Sequence, residues 1–275
     1  MNHSKNDNRL SLDEIHSLLL KMLVEFDAFC EENKLTYYLT AGTLLGAVRH
    51  DGFIPWDDDA DIVMPRKDYE KLLSFNSITP DIDIISFKNK SSAHYHPFPY
   101  IDLSYNKTIE KPQTLKINTN KGQFIDIFPL DSIPDNSLLE CVQRIRLSFL
   151  TKMRICSIST YRKPNSVKNI LFNFMCLLCS HLDAVKISSR IDAISKQYSN
   201  NQTDRIGMIV FNENPIYRWR TKWFNKREKH KFEGANLYIP SCYHKILTKN
   251  YGDYMTLPPK KDRIAHHFVE IYWEK

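Results

Sequence analysis

Four aspartates fall within five positions in Trp56-Asp57-Asp58-Asp59-Ala60-Asp61-Ile62. In an extended strand, side chains two apart share a face, so Asp59 and Asp61 would project together. Two carboxylates that close repel and raise one another's pKa unless a cation neutralises them. The apolar neighbours Ala60, Ile62 and Val63 argue for a strand in the core, where unpaired acids are costly. A hard divalent ion, Mg²⁺ or Mn²⁺, resolves the conflict, because it takes oxygen ligands and commonly holds substrate phosphates as well. The plain alternative is a solvated acidic loop. A calcium-binding hand is excluded, since its glycine and twelfth-position Glu are missing.

A further acid stands in Phe124-Ile125-Asp126-Ile127-Phe128, flanked on both sides by apolar residues. Such an Asp is either a satisfied core residue or a ligand on a buried strand. With Asp59 and Asp61 it would supply three carboxylates from two neighbouring strands, enough to seat one or two metal ions that clamp a phosphoryl group. Gly42-Thr43 offers the other half of a phosphate site. At a strand-to-helix turn, glycine permits close backbone approach, the Thr43 hydroxyl can donate, and the helix N-terminus attracts anions. Arg49 and His50 follow that helix and could pair with phosphates, a surface role being the alternative.

These residues need elements to hold them. Ser11 followed by Glu14 fits a capping box, and Leu12, Ile15, Leu19, Met22, Leu23, Phe26 and Cys30 repeat at helical spacing to about Asn33. Residues 35–41 suit a strand ending at Gly42-Thr43, with a helix from Leu44, a turn over Gly52–Trp56 and a strand over Asp59–Met64. Asp68–Leu73 suits a helix, and Asp81–Phe87, Tyr100–Tyr105 and Gln123–Phe128 suit strands. From Leu138 to about Tyr198 the pattern is helical and basic, and the tail from Met208 is aromatic-rich with short strands. The expectation is an α+β protein with a mixed sheet flanked by helices and a mainly helical C-terminal half. It divides into a catalytic core, 1–135, and a helical and aromatic-rich part, 136–275, the two joined as one continuous domain or separate.

At 275 residues, 42% hydrophobic and 12% aromatic, the chain can bury a sizeable core. The polar start, Met1–Asp13, has no apolar stretch, and six cysteines form no metal pattern, which together lead to an expectation of a reducing cytoplasm. Cys176 and Cys179 read as small core hydrophobes. The most apolar run, Ile170–Leu182, is too short to span a bilayer and reads as a buried helix, with an interfacial membrane helix as the alternative. Net charge is +6, concentrated in two clusters. Arg144–Lys168 holds seven cations and no acid, and Arg218–Lys231 contains Glu228 as its one acid. Such clusters are solvated faces or sites for anionic lipid or substrate phosphate.

At its acidic centre the sequence resembles the LicD family, whose best-known members are cholinephosphotransferases that decorate bacterial surface polysaccharides. The resemblance is carried by Gly42-Thr43-Leu44-Leu45-Gly46-Ala47-Val48-Arg49-His50, by residues 52–62 and by Asp68-Tyr69-Glu70. It continues through Phe124–Asp131, Phe232-Glu233-Gly234, Ile239-Pro240 and Tyr251–Pro259. The resemblance implies a nucleotidyltransferase-like fold, Mg²⁺ dependence and CDP-choline as donor, with Asp59, Asp61 and Asp126 matching the family's metal-binding acids. It leaves residues 138–198 without a matching motif, and relatives thought to use CDP-ribitol or a similar donor keep the alcohol open. The implied reaction is attack by a glycan hydroxyl on the phosphorus bearing the alcohol, with CMP leaving, at the inner face of a membrane if the glycan is lipid-linked. Asp126 would hold a second metal or accept the hydroxyl proton. Choline would need aromatic faces. Tyr217, Trp219 and Trp223 alternate with Arg218, Arg220 and Lys222, which suits a cage or core packing, while Trp56 would stack on cytosine or brace the turn. Three other readings stand beside this one. A small-molecule nucleotidyltransferase would use the same acids. A metal-dependent glycosyltransferase would not need Gly42-Thr43. A basic nucleic-acid- or membrane-binding module would leave the acids unexplained, so nucleic acid is not expected as a partner.

Overall fold

The computed structural model describes residues 8–88, 96–111, 115–117, 121–211, 217–264 and 270–274, so the first half of the polar start, residues 1–7, lies outside them. In chain order the elements are α1 (Leu12–Asn33), β1 (Tyr38–Leu39), α2 (Ala41–His50), β2 (Asp61–Pro65), α3 (Arg66–Leu72), β3 (Ser77–Thr79) and β4 (Ile82–Ser86). There follow β5 (Ile101–Tyr105), β6 (Thr108–Lys111), β7 (Phe124–Ile133), α4 (Ser137–Ile158), α5 (Val167–Cys179) and α6 (Ala184–Ser195). The last are β8 (Arg205–Gly207), β9 (Arg218–Arg220), β10 (Arg227–Phe232), β11 (Ala235–Pro240), α7 (Tyr243–Tyr251) and β12 (Glu270–Trp273). This is the mixed α+β organisation that the sequence patterns lead one to expect.

The main sheet runs β1-β2-β7-β5-β4-β3. β7 is its axis. Its first half pairs in parallel with β2 and antiparallel with β5, and its second half pairs antiparallel with β8, which carries β9 beyond it. Strands from beyond residue 200 therefore complete a sheet founded by residues before 135. One continuous buried cluster reaches from Leu10 to Ile271.

Helix α1 opens as its capping box directs: Ser11 Oγ accepts from the Glu14 N–H, and Glu14 Oε2 accepts from the Ser11 N–H at 2.8 Å. Its stripe Ile15, Leu19, Met22, Leu23, Phe26 and Cys30 is buried against the sheet. The expected helical stretch from 138 resolves into α4, α5, α6 and a short 3₁₀ turn, Lys196–Tyr198.

Three local expectations are corrected. Gly42 and Thr43 do not precede the second helix but lie in its first turn, because Thr40 is still extended and the chain turns at Ala41, where φ is +46°. The strand after the acids starts at Asp61, so Asp59 sits just outside it. The apolar run beginning at Ile170 is not buried: α5 hides only Cys176 and Cys179, which pack with Cys156 in a small satellite cluster. Burial pushes the Cys156 thiol up to about 11, consistent with the cysteines acting as core hydrophobes.

Candidate functional site

The acids converge through strand pairing. Asp61 on β2 lies opposite Asp126 on β7, and Asp126 lies opposite Asp102 on β5. Residues in register on adjacent strands share a face about 4.8 Å apart, so three carboxylates stand in a row across the sheet. Asp59 precedes this row in the connection from α2, where the Asp126 N–H donates to the Ala60 carbonyl at 3.0 Å and extends the pairing.

The segment bearing the acids is held from several sides. Thr43 Oγ1 accepts from the Asp61 N–H at 2.8 Å. Thr43 is buried, so its hydroxyl positions the acid strand rather than presenting itself to a ligand. His16 of α1 donates from Nε2 to the Asp57 carbonyl at 2.6 Å. Gly42 gives Asp57 room to approach: a Cβ at that position would stand 2.7 Å from Asp57 Oδ2 and the carboxylate would have to move. The tip of the β10–β11 hairpin clasps the turn after α2, with Glu233 accepting from the Phe53 N–H and its own N–H donating to the Asp51 carbonyl.

The row borders a cleft with two lobes that share Ala41, Asp59, Asp61 and Tyr217. The larger, about 610 Å³, is lined by Gly42, Arg49, Trp56, Asp57, Tyr251 and Asp262 among others. Arg49 donates from Nη1 to the Tyr254 carbonyl and from Nε to His50 Nε2, both at 3.0 Å. Burial, and then the Arg49 charge, push the His50 ring below its ordinary pKa, so it is a neutral acceptor that steadies Arg49. Trp56 has the edge of His50 at 6.2 Å and the Arg263 guanidinium 5.6 Å over its ring.

The smaller lobe, about 310 Å³, contains Asp126, Glu110 and Lys121 within an aromatic wall. Phe98, Tyr100, Phe128, Phe211 and Tyr217 follow one another at ring separations of 5.5, 4.7, 5.6 and 6.4 Å. Opposite, the Lys121 ammonium lies 3.3 Å from the Phe124 ring centre and pairs with Asp102 at 2.7 Å and Glu110 at 3.8 Å. Burial works to raise the Asp102 carboxyl, but the His96 ring and the Lys121 ammonium hold it below the usual range. Asp126 shifts the other way. Burial first, then the Asp102 and Asp61 charges, lift its carboxyl well above the usual range. Its Oδ1 is shut off from solvent and meets no N–H or O–H donor among the described residues, so beside Asp102 it is satisfied only by a shared proton or a cation.

Asp59, Asp61, Asp126, Gly42, Arg49 and Trp56 are thus gathered along one cleft, with Thr43 and His50 directly behind it. Trp219 and Trp223 are not. Trp219 is buried in the core, its Nε1 donating to Asn250 at 3.1 Å, and Trp223 stands on a 3₁₀ turn, Thr221–Phe224, which breaks the strand alternation after Arg220. The aromatic wall comes instead from residues 98–128, Phe211 and Tyr217. Asp102 escapes a reading of the chain that stops at Asp126, although Ile101-Asp102-Leu103 carries the same signal as Ile125-Asp126-Ile127, a single acid inside an apolar strand. Of the second basic cluster, Arg218 pairs with Glu140 at 2.7 Å and Arg227 lies 3.7 Å from the Tyr238 ring, while Arg220, Lys222, Lys226 and Lys231 are exposed.

A family model described as LicD/FKTN/FKRP, nucleotidyltransferase domain, matches residues 34–144, the stretch carrying Asp59, Asp61, Asp102 and Asp126. The lipopolysaccharide cholinephosphotransferase LicD of Haemophilus influenzae is 31% identical over 283 residues, covering 96% of this chain and 98% of that protein. An uncharacterized protein of Rickettsia typhi is 34% identical over 77 residues, 28% of this chain and 24% of its own length.

Proposed function

The chain belongs to the LicD family, and from that membership we propose that it transfers phosphocholine from CDP-choline to a sugar hydroxyl of a bacterial lipopolysaccharide or related surface glycan. The observation that carries this reading is the end-to-end similarity to a cholinephosphotransferase, joined to a cleft whose carboxylate row runs into an aromatic lobe.

The donor fits the cleft by charge. The N-terminus of α2 opens onto it through Ala41 and Gly42, and the Thr40 side chain does not cap the N–H groups of that turn, which leaves them to address phosphate oxygens. The larger lobe, with Arg49 and Trp56, suits the nucleotide. The smaller suits choline: Lys121 is outweighed by Asp102 and Glu110, leaving one net negative charge to meet a quaternary ammonium among aromatic faces.

The residues also fit Mg²⁺. The donor set is all carboxylate, and the buried Asp126 Oδ1 meets no N–H or O–H donor among the described residues, an arrangement that a cation would satisfy. Among the described residues no three His, Cys, Asp or Glu side chains are gathered closely enough to hold an ion unaided. Asp61 and Asp126, with Asp59 alongside, would therefore hold the metal together with the donor's phosphates, the usual habit of Mg²⁺. The bound ion supplies charge neutralisation at the diphosphate. Asp102, paired with Lys121, lies in register beside Asp126 and keeps it in place; were the ion held by Asp59 and Asp61 alone, Asp126 would instead receive the proton of the attacking hydroxyl.

The test is CMP release from CDP-choline, CDP-ribitol and CDP-glycerol, and pyrophosphate release from ATP, with Mg²⁺ or EDTA and purified lipopolysaccharide. CDP-choline should be preferred, EDTA should stop turnover, and Asp61→Asn should lower kcat/KM by at least ~10²-fold, the scale of a lost electrostatic contact to the transferring group. Equal use of the polyol donors would reject choline, and adenylylation from ATP would reject the transferase class.

A further inference from the structure

Helices α4 and α5 present an apolar face that no described residue covers. Fourteen of the twenty exposed large apolar side chains among the described residues fall between 138 and 182, so they are a patch and not scatter. On α4, Leu138, Val142, Ile145 and Phe149 are 46–72% exposed and follow one another by four, three and four positions, a single stripe. On α5, Leu171, Phe174 and Leu178 are 56–60% exposed on the side away from Cys176 and Cys179. A helix serving only to cover a soluble core turns such a stripe inward.

The patch is framed by charge of one sign. Arg144, Arg146 and Lys152 on α4, and Arg162, Lys163 and Lys168 leading into α5, are all exposed, and no acid lies between 144 and 168. Two copies of this face would bring like charges together, whereas an anionic headgroup layer over acyl chains complements both features. No single described helix is long and apolar enough to cross a membrane. At about 1.5 Å per residue the 13 residues of α5 reach only ~20 Å, against a hydrocarbon core of ~30 Å. The following helix, α6, turns Ile187 and Ile191 into the protein core. The face would therefore lie in the interface rather than span it.

We propose that the α4–α5 face docks on an anionic lipid bilayer, with Phe174 and its neighbours entering the acyl boundary and the cations at headgroup level. The face is tied to the cleft. At the end of α4, Ser159 bridges to Leu115, which lines the smaller lobe, and the Arg154 guanidinium lies 5.1 Å from the ring of Phe98 in its wall. Docking would thus hold the cleft beside the layer from which a lipid-borne glycan projects. The proposal stands whichever alcohol is transferred.

The experiment is co-sedimentation of the full chain with phosphatidylglycerol/phosphatidylcholine vesicles and with pure phosphatidylcholine vesicles, over a salt series. Two triple variants are compared, Leu171→Ser/Phe174→Ser/Leu178→Ser and Arg144→Gln/Arg146→Gln/Lys152→Gln, with helix content and CMP release on delipidated polysaccharide as controls. We expect the wild type to bind the phosphatidylglycerol vesicles and to release as salt rises. The apolar triple should bind more than tenfold more weakly, and the charge triple about a hundredfold more weakly, each cation being worth roughly a factor of five at such a surface. Both should keep turnover on the delipidated acceptor. Absence of wild-type binding, equal binding to both vesicle types, or a wild-type dimer that the apolar triple dissociates with vesicle binding unchanged would each overturn the proposal.

Discussion

Replacing Phe211 by leucine tests the aromatic lobe with little disturbance to the fold. Phe211 sits between Phe128, 5.6 Å away, and Tyr217, 6.4 Å away, and is only half-buried at the lobe's wall. Leucine keeps an apolar side chain of similar bulk, so stability should fall by less than about 1.5 kcal/mol. What disappears is the ring quadrupole that attracts a cation. A desolvated cation–π contact is worth about 1–2 kcal/mol, or roughly 5–30-fold in kcat/KM for CDP-choline. CDP-glycerol carries no cation, so its residual turnover should change by less than about twofold by the same reasoning. Phe211→Tyr, which keeps an aromatic face, should restore the choline preference. The assay is initial-rate CMP release with each donor at saturating acceptor, with the thermal midpoint of each variant as a check on folding. An equal fall for both donors would mean that Phe211 shapes the cleft without meeting a cation, and no fall would remove choline from this lobe.

Two further outcomes concern the charges behind the site. The Asp126 pKa is raised on folding, so its contribution to stability is present below the ordinary carboxylate pKa and is lost as pH climbs through the raised folded value; in EDTA, Asp126→Asn should flatten that decline, gaining about 1.4 kcal/mol per unit of pKa separation, and urea midpoints that keep the wild-type pH slope would contradict it. Arg66 donates to Asp131 at 2.6 and 2.5 Å and to Asp192 at 2.7 Å, all three side chains being buried; Arg66→Met should cost about 3–5 kcal/mol in urea unfolding, and recovery should follow when Asp131 and Asp192 are also made apolar.

Much of the site was legible along the chain because it rests on short-range pattern. The alternation that puts Asp59 and Asp61 on one side, the apolar flanks of Asp126 and the Ser11–Glu14 cap all depend on neighbours a few positions away. The cap and the apolar strand around Asp126 are expressed in the fold, whereas the strand begins only at Asp61, and Asp59 reaches the same cleft from the preceding connection. The family motifs near the C-terminus were also readable, but their reason was not. Glu233 is needed because it clasps Asp51 and Phe53, some 180 residues earlier, a contact no local period encodes.

What tertiary structure decided is which elements become neighbours. Asp102 joins the row because β5 lies beside β7, and strand order is set by the packing of the whole sheet rather than by the residues of either strand. The choice of aromatic wall has the same origin. Trp219 and Phe211 are similar in apolar character, yet one is drawn into the core beside Phe224 and the other lines the cleft. Helix α5 makes the point most sharply. Its apolar sequence determines a helix that must leave water, which reads as a core helix, but the tertiary structure shows that among the described residues only Cys176 and Cys179 of this helix are buried. Sequence pattern encodes which faces need burial; the partner that buries them is a property of chain segments far apart, or of a surface outside the chain.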